Sequence, residues 1–136
     1  MCIDKADLLR RAKNDLWTAN LILAQELTDE FQLDVAAYHV QQTVEKLMKY
    51  EMNEAGIRFM HVHEADLLFE QMQAEELSPP PWIMEYSETL NNYATKTRYG
   101  TNLVTAKQKL LLLKAEAAAY FEHLAGNSTT EENYPS

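Results

Sequence analysis

Cysteine is nearly absent: Cys2 is the single thiol in 136 residues. There is neither a disulfide framework nor a thiolate metal site to propose, and a reducing cytoplasm is the expected setting. Glycine and proline are scarce as well, at three and four copies, and Pro79, Pro80 and Pro81 stand together. That leaves long uninterrupted runs of Ala, Leu, Glu, Gln, Lys and Met, the residues that lose least on entering a helix. An all-α protein is expected. No long apolar run is present, since Leu110 to Leu113 falls far short of the roughly 20 residues that span a bilayer. The start Met is followed within a few residues by charges of both signs, so neither a membrane span nor a secretion signal is expected. Positive charge is also short, with 12 Lys and Arg against 21 Asp and Glu and a net charge of −9. That balance excludes a protein that coats nucleic acid by bulk electrostatics, which requires cations enough to neutralise many phosphates. Any contact with RNA must come from a local patch. The cations do cluster: Lys5, Arg10, Arg11 and Lys13 early, Lys46 and Lys49 centrally, Lys96, Arg98, Lys107 and Lys109 late. A solvated surface is the plain alternative for each.

What is present is helical periodicity. A first helix is expected from a cap at Asp4 to about Glu26, with Leu9, Ala12, Leu16, Ala19 and Leu23 spaced by threes and fours along one face. The period fails over Leu27 to Leu33. Asp34 is the expected cap of a second helix that runs to about Glu54, with Gly56 as its left-handed terminator. Two long helices joined by a short connection predict an antiparallel αα-hairpin. After an irregular stretch from Ile57 to Val62, a third helix is expected over about 63–77, with Leu67, Leu68, Phe69 and Met72 buried. The three prolines end it, and Pro81 suits the first turn of a fourth helix to about Ala94 that offers Trp82, Ile83, Tyr86, Leu90 and Tyr93 to the core. A fifth helix spans about Leu103 to Leu124 and is capped by Gly126. The length fits one domain, so a four- or five-helix up-and-down bundle over residues 1–126 with a disordered polar tail at 127–136 is the expectation.

The second helix carries more polar function than a core helix needs. Its order, Tyr38-His39-x-Gln41-Gln42-x-x-Glu45-Lys46-x-x-Lys49, resembles the signature helix of the HEPN family (higher eukaryotes and prokaryotes nucleotide-binding domain). Two further stretches match in the family's order: His63-Glu64-Ala65-Asp66-Leu67-Leu68 is similar to the His-x-x-x-Leu-Leu that opens its third helix. Leu90-Asn91-Asn92-Tyr93, running on through Arg98-Tyr99-Gly100, is similar to its Leu-x-x-Tyr-x-x-x-x-Arg-Tyr-Pro, with Gly in place of Pro. The resemblance implies a helical bundle, a homodimer, and work as a binding module for a nucleotide, RNA or a separate minimal nucleotidyltransferase, often as one half of a toxin–antitoxin pair. It implies no cofactor. Many family members are also metal-independent endoribonucleases that use Arg-x4–6-His late in the bundle, but here Leu103, Val104 and Thr105 stand where the histidine would follow Arg98. The catalytic signature is broken, and no nuclease activity is expected from it.

On this reading the ligand-binding residues are His39, Gln42 and Lys46 of the signature helix, with Arg98 and Tyr99 from the loop before the last helix. Helix-borne imidazole, amide and ammonium groups suit a phosphate or a nucleobase, and a guanidinium holds a phosphate in a two-pronged fork. Each has a plainer alternative: a hydrogen-bonded histidine on the bundle edge, an i,i+4 pair of Glu45 with Lys49, a helix-capping Arg98. Arg58 and His63 also satisfy Arg-x4-His, although before the third helix, and define the rival reading of an endoribonuclease toxin. A purely structural adaptor is a further alternative. His61, His63, Glu64 and Asp66 include a His-x-His with nearby carboxylates, a poor match to zinc-site spacing, so no metal is proposed.

Overall fold

The computed structural model describes residues 5–95 and 106–132. Among these residues there are six helices and no strand: α1 (Lys5–Leu23), α2 (Phe31–Glu54), α3 (Ala65–Ala74), α4 (Pro81–Glu85), α5 (Ser87–Thr95) and α6 (Lys107–Glu132). This is the expected all-α bundle, with the anticipated fourth helix interrupted at Tyr86, whose backbone leaves the helical region at φ −107°, ψ 20°.

α2 lies at the centre and packs on α1, α3, α5 and α6, with α1 as its most extensive neighbour. Ala36, Ala37, Val40, Val44, Leu47 and Met48 are all but fully buried, and they join Ala12 and Ala19 of α1 in one core that also takes Leu68, Ile83, Leu90, Leu110 and Leu113. Small residues on both long helices let their axes approach closely, which fixes the hairpin. On α1 Ala12, Leu16 and Ala19 are buried as expected, whereas Leu8 takes the buried place and Leu9 and Leu23 are half-buried. On α3 Leu67 is exposed, contrary to expectation, while Leu68, Phe69 and Met72 are buried.

The ends of the helices follow local chemistry. α2 begins before Asp34, which is buried inside it. The entry is instead closed by Asp29, whose carboxylate accepts from the Phe31 amide at 2.9 Å, and by Gln32, whose side-chain oxygen accepts from the amides of Thr28 and Asp29. The far ends of α2 and α3 share one motif. Ile57 donates its N–H to the Met52 carbonyl and Gly56 to Asn53, and in parallel Leu77 donates to Met72 and Glu76 to Gln73. Such a pair of bonds requires a left-handed residue in the turn. Gly56 meets it at φ 77°, as expected, whereas at the end of α3 a glutamate, Glu76, is held at φ 66°. The start of α3 is capped from a distance: Asn91 of α5 accepts from the Ala65 amide at 2.8 Å and donates to Asp66 at 3.0 Å. α6 passes through Gly126 to Glu132 instead of ending at the glycine, and the Tyr120 hydroxyl on it donates to Glu51 of α2 at 2.6 Å.

Candidate functional site

The polar residues of α2 form a seam with two charged nodes. At the first, Asp15 of α1 takes the Nδ1 side of His39 at 2.9 Å on one carboxylate oxygen and the Lys46 ammonium on the other. At the second, Glu45 receives both the Lys49 ammonium and His63 Nδ1, each at 2.9 Å, on a single oxygen. Two glutamines join the nodes. Lys46 donates to the Gln42 side-chain oxygen at 3.1 Å, Gln42 donates to Gln41 at 2.7 Å, and Gln41 donates to Glu45 at 3.0 Å. Every donor in that relay points from Lys46 toward Glu45, so the amide dipoles reinforce one another and end on a carboxylate.

Helical spacing explains this order. Positions 42, 46 and 49 and positions 38, 41 and 45 recur at steps of three and four, which stacks their side chains along α2. Asp15 reaches the seam because the antiparallel hairpin lays the middle of α1 against residues 39–46. His63 reaches it from the irregular segment after α2, where its carbonyl also accepts from Gln41. The same segment places the Phe59 ring under the Lys49 ammonium, 5.4 Å from the ring centroid, and His61 edge-on to Phe59.

The electrostatics differ from those of an open cationic pocket. Burial raises the carboxyl of Asp15, but hydrogen bonds from His39 and Lys46, helped by their charge, outweigh it and hold the group below its ordinary value. Glu45 is likewise pushed up by burial and pulled down further by Lys49, His63 and Gln41. Its side chain is only 6% exposed and Lys49 only 11%, so this is a buried ion pair, satisfied by additional donors as such a pair must be. Neither Lys46 nor Lys49 is a free cation. The imidazoles are the exposed members: His63 is 75% exposed and His39 26%. Each is gripped through Nδ1, which turns Nε2 the other way, able to donate or accept according to the tautomer.

Of the residues proposed from the sequence, His39, Gln42 and Lys46 do come together. Arg98 and Tyr99 lie outside the described residues. Arg58 is exposed on the same irregular segment as His63, and its carbonyl accepts from Gln71. Asp15 was not foreseen, although one signal was available: it is the only carboxylate between residues 8 and 23 and it flanks the apolar stripe of α1. Glu45 does form the i,i+4 pair with Lys49, but burial and His63 make it a structural node as well. Among the described residues no group of three or more His, Cys, Asp and Glu side chains is arranged to hold a metal ion, and no helix is long and apolar enough to cross a membrane. Compared with known families, residues 6–121 match the family model described as HEPN domain. No curated protein and no solved structure matches the chain.

Proposed function

We propose, from the premise that this chain belongs to the HEPN domain family, that it is a nucleotide- or RNA-binding module without the family's ribonuclease chemistry. The carrying observation is the seam. Its carboxylates, amides and imidazoles supply both donors and acceptors of the kind that a nucleoside's base edges and hydroxyls require, while its ammonium groups are neutralised within the protein. His39, Gln42 and Lys46 would form the recognising surface. Arg98 and Tyr99 belong to the proposal on sequence grounds, the guanidinium as the phosphate ligand. The module would act in the cytoplasm as a homodimer, for which Leu111 and Leu112, exposed on α6 beside the buried Leu110 and Leu113, offer apolar surface. A separate minimal nucleotidyltransferase in a toxin–antitoxin pair is the partner the family suggests.

The test is titration of a labelled single-stranded RNA oligonucleotide, with RNA length read on a denaturing gel. Saturable binding of uncut RNA, weakened by His39→Ala and by Arg98→Ala with little change in Tm, is the expected result. Failure to bind RNA or mononucleotides would sink the reading.

One observation favours a second reading. His63 is held through Nδ1 by a buried carboxylate with its far nitrogen outward, the arrangement that orients an imidazole for proton transfer, and Arg58 stands five residues earlier in the chain. A metal-independent endoribonuclease built on Arg58 and His63 would shorten the oligonucleotide, and His63→Ala would abolish the cutting.

A further inference from the structure

The outward face of α1 differs from the seam in its charge. Arg10, Asn14, Trp17 and Leu21 recur at steps of four, three and four, so they form one stripe, with Lys13 one turn before Trp17. All five are exposed, and Trp17, at 61%, is the most exposed of the large apolar side chains. An indole in that position contributes nothing to the core, which α1 meets through Leu8, Ala12, Leu16 and Ala19. The cations are unspent as well. Whereas Lys46 and Lys49 are each committed to a carboxylate, Arg10, Arg11 and Lys13 enter no ion pair among the described residues. Between residues 8 and 23 the sole carboxylate is Asp15, turned away toward α2 and neutralised there. In a chain of net charge −9, this is a cationic strip with an aromatic plane in it.

We propose that the outer face of α1 is a single-stranded nucleic-acid surface, on which Trp17 stacks a base while Arg10, Arg11 and Lys13 contact the backbone phosphates. The inference extends the binding reading above and depends on it for the class of ligand. Stacking on an exposed aromatic ring flanked by cations is the general means of holding a single strand without reading its sequence. The stripe from Arg10 to Leu21 is about 16 Å long at the helical rise, and the acidic residues Glu26, Asp29 and Glu30 lie beyond its far end, so the strand would occupy the first half of the helix. A membrane surface fits less well. A helix that lies in the interface needs a broad apolar face, and here Asn14, Thr18 and Asn20 interrupt the exposed apolar residues.

The deciding experiment measures binding of a fluorescein-labelled single-stranded RNA to the full chain over a range of salt concentrations, for the wild type, Trp17→Ala, Trp17→Phe, and Arg10→Ala with Lys13→Ala. Trp17→Ala should weaken binding roughly 5- to 100-fold, with partial rescue by Phe. The double variant should lower the salt slope by about two, close to one per lost phosphate contact. None should shift the thermal unfolding curve appreciably, because these side chains lie away from the core. Wild-type binding that Trp17→Ala leaves unchanged overturns this inference and spares the broader reading, whereas a wild type that binds no RNA overturns both. Binding of anionic phospholipid vesicles without RNA, or Trp17-dependent self-association without RNA binding, also overturns it.

Discussion

Glu45 is the residue on which most of the seam converges. It accepts from Lys49, His63 and Gln41 while almost wholly removed from water. Removing one partner of a buried, hydrogen-bonded ion pair leaves the other charge without compensation. Glu45→Gln should therefore cost about 3 kcal/mol in urea unfolding, far more than an exposed i,i+4 pair is worth. The pH dependence follows from the same groups. Asp15 and Glu45 are both held below their ordinary values in the folded protein, so each contributes stability that is present above the unfolded-state values and is lost as the pH falls through the folded ones. Thermal stability should decline from about pH 5 downward, and the decline should be shallower in an Asp15→Asn, Glu45→Gln double variant. The ligand-side residues of the first node were legible in the sequence because helical spacing groups His39, Gln42 and Lys46. Its counter-ion was not, because Asp15 is 24 residues from His39 and 31 from Lys46, and only the hairpin unites them.

Among the elements, the helices themselves were easier to read than their ends. Apolar spacing and the lack of glycine and proline placed α1, α2, α3 and α6, and Pro81 marked the first turn of α4. The ends moved wherever a remote or unexpected group did the capping, as with Asn91 at the start of α3 and Asp29 with Gln32 before α2. The paired turns after α2 and α3 give a direct comparison. Gly56 has no atom within 4 Å of the place where a Cβ would stand, so Gly56→Ala should cost about 1 kcal/mol from backbone strain alone. Glu76 already bears that strain at φ 66°, and Glu76→Gly should stabilise the fold by about 0.5–1 kcal/mol. Chemical denaturation of both variants reads the two signs side by side. Equal and opposite effects of similar size would establish that only the backbone is at issue.

For the molecule as a whole, the fold separates two kinds of cation. Those on α2 are enclosed with carboxylates between the long helices, where they hold α1 and the segment after α2 in register; those on α1 face outward and unpaired among the described residues. Composition showed only that positive charge was scarce and clustered, and it could not say which cluster was spent inside the protein, since that depends on what the hairpin brings opposite each side chain. The most direct test is the salt dependence of single-stranded RNA affinity for the charge-conserving double variant Asp15→Asn, Lys46→Met. The seam's ammonium is already committed, so the slope of log K against log salt should match that of the wild type. A slope lower by about one would mean that Lys46 binds phosphate after all and would contradict the division of charge described above.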